Sequence, residues 1–424
     1  MLFFIAWRNL WRNKHRSVLT ISALGGGLAM LILYAALLNG MVMQMTEFST
    51  KISSGSIQVH RQSFIDDQDL YATIPWKLID SLEKEFEHIA ITPRLYAAGL
   101  ASAGETSTGA MLKAVDPQRE SKVTTMLSHI REGDASLQAI TTNENGFPRY
   151  QVVVGAQFAK NLNLKIGDEL VIVSQAADGS IGNDLFFVSG ILKPIELTFD
   201  RTGVLMSIEA FQNLMYLQSG AHELAVSIDS QENILTTKSL LQKKLHSLVE
   251  QYPLDIEDDQ IVTRTWRELM PAVSDMVEVS KAAIYILGII MLGLASMGML
   301  NTMMMSIYER KHEFGILLSI GMGRYWLLLM VMLESLFIAC VSAIIGAVVG
   351  STGAIYLEKH GIDLSGYMPD GFDYGGIIFE PMWRAHLDTE SIYISIFLTL
   401  GIALIASLIP SWRIVKLKPV EALH

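Results

Sequence analysis

Charged residues are scarce in this sequence, and cysteine is almost absent. Asp, Glu, Lys and Arg make up 18% of the 424 residues, whereas hydrophobic residues make up 50%. Soluble proteins of this length usually carry about 25% charged residues, so the composition favours a membrane protein. The single cysteine, Cys340, excludes an intramolecular disulfide, and the fold must therefore rely on packing.

Sequence motifs of covalent chemistry are also missing. There is no Gly-Lys dipeptide, and therefore no Walker A loop for nucleotide phosphates, and no HExxH, CxxC or GxSxG pattern. The ten histidines are scattered singly, and His60, His222 and His312 are interpreted as structural or surface residues and not as metal ligands. We therefore expect a chain that is not an enzyme and has no cofactor of its own.

Four apolar runs are long enough to cross a membrane, which takes about 20 helical residues. They predict transmembrane helices at residues 17–45, 281–308, 325–357 and 391–411, because a lone span must satisfy its own backbone hydrogen bonds. The first run is too long for a cleavable signal peptide, and no small-residue cleavage site follows it. Apart from Lys281 at the start of the second run, only Glu334 carries a charge inside these runs.

Lys and Arg concentrate in three short flanks of these runs: ahead of the first, between the second and third, and after the fourth. In membrane proteins, such residues favour the cytoplasmic side. We therefore expect residues 1–16, the turn 309–324 and the tail 412–424 to be cytoplasmic, with both termini inside. The remaining acidic portion then faces outward. Its charge is typical of a solubilising surface, and nucleic acid is not an expected partner.

Residues 46–280 are predicted to form a large extracytoplasmic α+β domain inserted after the first span. The stretch "SGSIQVHR" alternates like a half-buried strand, and "QVVVGAQFAKNLNLKIGDELVIVS" predicts a strand, a short helix, a turn and a strand. "HELAVSID" predicts another strand, and residues 233–252 another amphipathic helix. Residues 358–390 form an outer loop. The predicted fold class is thus a four-helix membrane protein with an α+β extracytoplasmic domain.

The first residues, "MLFFIAWRNLWRNKHRS", mix aromatic and basic side chains. Trp7 and Trp11 are four residues apart and share a helix face, while Arg8 and Arg12 can contact lipid headgroups. This pattern predicts an amphipathic helix on the inner membrane surface. It is equally the basic flank that fixes topology, and the two interpretations are compatible.

Glu334 has a functional and a structural interpretation. A lone intramembrane carboxylate can be a proton or substrate site, or it can hydrogen-bond a neighbouring helix near the inner end of its span. We favour the structural role, because no second ionisable residue lies within the spans to relay a proton. Similarly, the methionines of the second span could suit a lipid-bearing substrate, but packing explains them better. Small residues such as Gly346 and Gly350 permit close helix packing.

The turn between the second and third spans, "ERKHEFGILLSIGMGR", predicts a short amphipathic helix. Phe314, Leu317 and Leu318 fall on one side, charged residues crowd its beginning, and glycines end it. Such a helix is too small to fold alone and would be stabilised by docking. Since it is fused to two spans, a force on it would move both. Without an ATP site on this chain, that force must come from another subunit.

This turn resembles the signature of the MacB/FtsX-type ABC transporter permeases, in which it forms a coupling helix that sits in a cleft of the ATPase. "AWRNLWRNKHRSVLT" and "IPSWRIVKLKPVEAL" resemble the family's two ends, and "VVVGAQFAKNLNLKIGDELVIV" resembles the Lol-type lipoprotein-releasing permeases. The resemblance assigns ATPase coupling to Glu309, Arg310, Lys311, His312, Glu313, Phe314, Gly315, Leu317 and Leu318.

The resemblance also implies the assembly and the function. ATP and Mg would be bound by a separate ABC ATPase dimer, and a second permease, identical or paralogous, would complete the complex in the inner membrane of a bacterium. The chain would transmit ATP-driven motion to its outer domain and release lipoproteins or similar lipidated cargo, with a periplasmic carrier or adaptor as a possible further partner. The alternatives are a MacB-like exporter of peptides or drugs and an FtsX-like regulator of a cell-wall hydrolase.

Overall fold

The computed structural model describes residues 8, 12, 14–86, 88–142, 148–228, 233–251, 259–368, 371–374, 377–379 and 381–415. The predicted anchor residues Trp7 and Trp11 and most of the tail 412–424 lie outside this part of the chain. Two compact units are present. The helical unit comprises Met1–Gln44, Met276–Pro369 and Pro381–His424, and the α/β unit comprises Met45–Asp275 and Asp370–Glu380.

The helices differ widely in length, from one turn to more than ten. In chain order they are α1 (Lys14–Glu47), α2 (Gln62–Asp67), α3 (Trp76–Glu85), α4 (Pro117–Val123), α5 (Ala156–Leu162), α6 (Leu197–Thr202), α7 (Ile208–Met215), α8 (Ile234–Gln251), α9 (Trp266–Leu269), α10 (Pro271–Glu309), α11 (Lys311–Ser319), α12 (Arg324–His360) and α13 (Thr389–Val415). A π-helical segment, Phe48–Ser54, follows α1, and a 3-10 turn covers Met126–Ser128.

The strands belong mostly to the α/β unit. They are β1 (Ile57–Arg61), β2 (Ile74–Pro75), β3 (Ala90–Ala103), β4 (Thr106–Val115), β5 (Ile130–Gly133), β6 (Ala139–Thr142), β7 (Pro148–Val154), β8 (Glu169–Gln175), β9 (Ile181–Leu192), β10 (Gly203–Ser207), β11 (Gly220–Ala221), β12 (Glu223–Ser227), β13 (Ile261–Thr265), β14 (Ile362–Asp363), β15 (Phe372–Tyr374), β16 (Ile377–Phe379) and β17 (Met382–Trp383).

Four helical segments in the described residues are long and apolar enough to cross a membrane: Lys14–Ser54, Pro271–Glu309, Arg324–His360 and Thr389–Trp412. Each contains one of the runs picked out from the sequence. The unit boundaries differ slightly from those predicted. The start of the helical unit's second part, Met276, precedes residue 281, and Asp370–Glu380 of the predicted outer loop belongs to the α/β unit.

The α/β unit is built on one large mixed sheet, with the strand order β13-β1-β12-β3-β4-β10-β7-β9-β5. Strand β8 pairs with both β3 and β9, so six strands close a hydrogen-bonded circuit. Neighbours are antiparallel except for the pairs β4–β10 and β7–β9. Each of these six strands pairs on both sides, so none of them is an exposed edge of the kind that makes open sheets prone to aggregation.

The predicted strand–helix–turn–strand unit is confirmed as β7, α5 and β8. Phe158 and Leu162 on α5 are buried, and they pack with Leu170 and Ile172 of β8 in the main hydrophobic core. The φ angle of +90° at Gly167 makes the turn between α5 and β8, a backbone state that suits glycine. The predicted strand 54–61 and helix 233–252 correspond to β1 and α8.

Close packing of α1 and α12 in the helical unit rests on small residues, as predicted. A Cβ atom on Gly346 would lie 2.6 Å from the Gly25 carbonyl oxygen, and one on Gly350 would lie 2.9 Å from that of Ala29. Real Cβ atoms do not tolerate such distances to backbone oxygen, so glycine permits the two backbones to approach each other.

A buried ion cluster lies at the centre of the α/β unit. The guanidinium of Arg94, on β3, donates to both carboxylate oxygens of Glu120 at 3.0 and 2.6 Å and to Glu223 at 2.7 Å. Arg94 and Glu120 are fully buried. Burial alone would raise the pKa of Glu120, but its bonds with Arg94 lower that pKa to about 2. The cluster joins β3, α4 and β12.

The two histidines interpreted from sequence as structural, His60 and His222, are buried beside this cluster. His222 Nδ1 accepts the backbone N–H of Tyr96 at 2.9 Å, and its Nε2 lies 2.9 Å from the Leu70 carbonyl oxygen. That pattern fixes the neutral tautomer, and burial lowers the pKa of His222. The structural interpretation therefore agrees with the geometry.

Candidate coupling site

The candidate site is the short helix α11 and the sharp turns that join it to α10 and α12. Arg310 interrupts the helical path between α10 and α11. After Ser319, the chain turns at Gly321, whose φ of +98° lies in the left-handed region that favours glycine. The N–H of Met322 donates to the Leu317 carbonyl oxygen at 3.0 Å, which closes the end of α11.

One face of α11 packs on the helical unit itself. Phe314 is 1% exposed and lies in a cluster with Met303, Ile307, Leu327 and Val331. Leu317 and Leu318 are partly buried against the same cluster. The sequence predicted that these three residues share one side. The structure shows that Phe314 on this side is buried against the chain's own helices and that Leu317 and Leu318 are partly buried there.

Arg310 fastens α11 to α12. Its Nη1 donates to both oxygens of Glu334 at 2.9 and 3.0 Å, and its Nε donates to Glu313 at 3.1 Å. Its guanidinium also lies 5.0 Å above the ring of Phe314. Arg310 and Glu334 are each 7% exposed. The pair thus links two residues that lie 24 positions apart in the sequence.

The surroundings of this ion pair strengthen it. The gap lined by Ser306, Ile307, Phe314 and Val331 has no room for a water molecule. In a dry environment, opposite charges interact more strongly than in water. Burial alone would lower the pKa of Arg310, but the carboxylates of Glu334 and Glu313 raise it. Arg310 therefore stays charged, and the charge is satisfied by partners on two helices.

The opposite face of α11 is exposed. His312, Ile316 and Ile320 follow one another at four-residue spacing, and Ile316 and Ile320 are 42% and 79% exposed. Glu313 and Ser319 flank them and are also exposed. Two exposed isoleucines surrounded by polar side chains are typical of a protein–protein contact, because a polar rim around an apolar centre suits a second protein better than lipid tails.

Arg12, just ahead of α1, and Arg16, in the first turn of α1, also contact the site. Arg12 Nη1 donates to Glu313 at 3.0 Å, and Arg16 Nη2 donates to Glu309 at 2.5 Å. All four side chains are at least partly exposed, so each pair contributes little to stability, about 1 kcal/mol or less. Partial burial alone would raise the pKa of Glu313, but its hydrogen bonds with Arg310 and Arg12 lower that pKa. Arg8, the other predicted anchor, is exposed.

The remaining predicted coupling residues differ in exposure. Glu309 and His312 are exposed, Lys311 is half-buried, and Gly315 is buried under the turn. Sequence reasoning missed Ile316 and Ile320, although a helical projection places them away from Phe314. It also missed the pairing of Arg310 with Glu334. Among the described residues, no group of three or more His, Cys, Asp or Glu side chains is arranged to hold a metal.

Two family descriptions match the chain. "MacB-like periplasmic core domain" matches residues 17–244, more than half of the chain, and "FtsX-like permease C-terminal" matches residues 285–419. The chain belongs to the MacB/FtsX family of ABC transporter permeases. Permease subunits of this family are generally not enzymes themselves. The α/β unit is the core domain of this permease, and α10 to α13 form its FtsX-like region.

Two related proteins are distant in sequence. The lipoprotein-releasing system transmembrane protein LolE of Haemophilus influenzae is 20% identical over 99% of this chain and 98% of its own length. An uncharacterised ABC transporter permease of Methanocaldococcus jannaschii is 25% identical over 65% of this chain and 62% of its own length. The periplasmic region of MacB from Actinobacillus actinomycetemcomitans covers 53% of this chain and 94% of its own length, at 13% identity and a TM-score of 0.36.

Proposed function

We propose that this permease is the membrane subunit of an ABC transporter in a bacterial inner membrane, and that α11 is its coupling helix. In this assignment α11 and both termini lie in the cytoplasm and the core domain lies outside. The partner is a separate dimeric ABC ATPase that binds ATP and Mg. The proposal rests on the two faces of α11. One face packs against the other helices of the permease, and the opposite face is exposed.

The packed face of α11 explains how a force on this helix would reach α10 and α12. Arg310 binds α12 through Glu334, and Phe314 packs on side chains of both α10 and α12. A force on α11 would therefore move the ends of α10 and α12 together. A loosely attached helix would move without displacing them. The bare face, with Ile316 and Ile320, supplies the surface on which an ATPase would push.

Release of lipoproteins or similar lipidated cargo is the transport activity that we propose. It is supported by the end-to-end similarity to a lipoprotein-releasing permease, LolE, over 99% of the chain. It is also compatible with work done on the outer side of the membrane, where the closed sheet of the core domain would receive the motion of α1 and α10. Lipid, a second permease and a periplasmic carrier or adaptor complete the proposed set of partners.

The contact with the ATPase can be tested on the bare face of α11. We expect the variant Ile316→Asp to reduce ATPase binding at least 10-fold, because it places a charge in the centre of the contact. The tagged full-length chain would be purified from its own membrane. Retention of an ABC ATPase would be followed by mass spectrometry and by Mg-dependent ATP hydrolysis.

The matched control is Ile181→Asp, which changes an isoleucine that is 78% exposed on the α/β unit. It should retain the ATPase at the wild-type level. Equal recovery of the ATPase with Ile316→Asp and with Ile181→Asp would contradict the proposed contact, provided that both variants reach the membrane in equal amounts.

A further inference from the structure

Residues 381–388, which lead from the outer loop into α13, lie against the last turns of α1. The N–H of His386 donates to the Ala36 carbonyl oxygen at 2.8 Å, and Nε1 of Trp383 donates to the Leu37 carbonyl oxygen at 3.1 Å. A helix carbonyl oxygen has a second lone pair, so it can accept these bonds in addition to the bond of its own helix. Residues 381–388, called the strap below, are therefore attached to the backbone of α1.

Gly40 allows the strap to come this close to α1. A Cβ atom on Gly40 would lie 1.9 Å from the Arg384 carbonyl oxygen and 2.8 Å from the backbone nitrogen of His386. Real Cβ atoms do not come so near to backbone atoms, and a backbone cannot turn aside as the end of a flexible side chain can. Any residue larger than glycine at this position would separate the strap from α1.

The strap is attached to α12 as well. Its strand β17 pairs with β14, which follows directly after α12. His386 Nδ1 lies 3.2 Å from Oε1 of Glu358, in the last turn of α12. Ala385 is 3% exposed and packs with Ala36 of α1 and Ala354 of α12. The strap thus connects the ends of α1 and α12 that lie on the outer side in the proposed topology.

The chain that follows α1 is attached to the core domain. Helix α1 continues directly into the π-helical segment Phe48–Ser54. Within this segment, the Lys51 carbonyl oxygen accepts the N–H of Thr125 at 2.7 Å, and Ile52 is 8% exposed in a hydrophobic cluster of the core domain. A segment held in this way cannot act as a flexible linker, so a displacement of α1 would reach the sheet.

We propose that the strap makes α1 move together with α12, and that α1 passes this movement to the core domain. Helix α11 is bound to α12 through Arg310 and Glu334, and the strap binds the far end of α12 to α1. A displacement of α12 would therefore carry α1 and Phe48–Ser54 with it. Gly40 and Trp383 are positioning residues in this path, because they hold the strap on α1 and touch neither cargo nor ATPase.

The part of the strap in transport rests on the proposed function, whereas its attachment to α1 does not. The two can therefore fail separately. A chain whose strap is attached as described but that binds no ATPase would overturn only the proposed function. For that reason, attachment is measured on the full-length chain in lipid bilayers without ATPase, and transmission is measured on the complex with its co-purified ATPase.

Hydrogen exchange tests the attachment. In Gly40→Ala, the amide of His386 should exchange about 10-fold faster or more, because the added methyl group separates it from its acceptor. The milder variant Trp383→Phe, which removes one hydrogen bond, should give a smaller acceleration. The matched control Gly26→Ala, in the same helix, should change this exchange by less than about 3-fold, since no atom lies within 4 Å of the added Cβ. Unchanged exchange in Gly40→Ala, or equal acceleration in both glycine variants, would overturn the attachment.

Transmission is tested by the response of the core domain to ATP. Exchange of the amides of Phe48–Ser54 is compared with and without ATP and Mg. The wild-type complex and the Gly26→Ala complex should show the same ATP-dependent change. The Gly40→Ala complex should lose most of this change, although its ATPase continues to hydrolyse ATP. An undiminished change in Gly40→Ala would overturn the role of the strap.

A cross-link should rescue the uncoupled variant. Asn39 Nδ2 donates to Ser391 Oγ at 2.8 Å, just beyond the strap. In a Cys340→Ala background, Asn39→Cys and Ser391→Cys would be joined by a short thiol cross-linker in the Gly40→Ala chain. The cross-link should restore the ATP-dependent change at Phe48–Ser54, and its reductive cleavage should abolish that change again. A cross-link that forms but restores nothing would overturn the proposal.

Discussion

Replacing Arg310 with Met is expected to free α11 from α12 and to uncouple the transporter. The substitution leaves the buried carboxylate of Glu334 without its cation, and breaking a buried ion pair in this way costs about 3–5 kcal/mol. The amides of α11 should therefore exchange hydrogen about 100- to 5000-fold faster in the full-length chain. An ATPase would still bind through Ile316, but its turnover would no longer drive release of cargo.

Two further variants separate charge from packing. Exchanging the charges, with Arg310→Glu and Glu334→Arg together, should recover a large part of the slow exchange, whereas Arg310→Glu alone should be at least as damaging as Arg310→Met. The control is Arg12→Met, which removes an exposed pair with Glu313 and should change exchange less than 10-fold. Slow exchange of α11 in the Arg310→Met variant would show that Phe314 and its neighbours hold α11 without the ion pair.

Replacing Arg94 with Met is expected to destabilise the core domain by about 3–5 kcal/mol, because two buried carboxylates, Glu120 and Glu223, lose their shared cation. Amides of β3 and β12 should then exchange about 100- to 5000-fold faster in the full-length chain. The control Arg119→Met removes an ion pair to Glu83 that is about one-third exposed, and it should cost about 1 kcal/mol or less.

The same variant should also change how stability depends on pH. In the wild-type domain, the pKa of Glu120 is about 2, so this group adds stability as pH rises from about 2 to its unfolded value near 4.5. Without Arg94, burial raises the pKa of Glu120 above that unfolded value. The free energy of unfolding then falls as pH rises from about 4.5 to the new pKa. The cost of Arg94→Met should therefore be smaller at pH 5 than at pH 7. A cost that grows on acidification would contradict the assignment.

Much of the architecture was predictable from the sequence because hydrophobic pattern alone encodes it. The four apolar runs are unbroken by charge, and "QVVVGAQFAKNLNLKIGDELVIVS" carries β-branched runs, a helical stripe and a turn in sequence. The closed circuit of strands was not predictable. It depends on the pairing of β8 with β3, which lie about 70 residues apart, and no local pattern specifies a partner at that separation.

The candidate coupling site was predictable in place but not in detail. The motif around Phe314 located α11, and the apolar face was assigned correctly as one side of a helix. The sequence could not show what that face contacts, since an amphipathic pattern is the same whether the partner is another subunit or the chain's own helices. The pairing of Arg310 with Glu334 depends on the tight turn at Gly321 to Gly323, which brings the start of α12 against the end of α10.

The measurement that tests the central claim most directly is the accessibility of Ile320, which is 79% exposed at the end of α11. In a Cys340→Ala background, the cysteine of Ile320→Cys would be exposed to a membrane-impermeant maleimide. We predict labelling in inside-out vesicles, none in sealed right-side-out vesicles, and protection when the ATPase is bound. Labelling from the outer side, or labelling that the bound ATPase leaves unchanged, would contradict the assignment of α11 as the coupling helix.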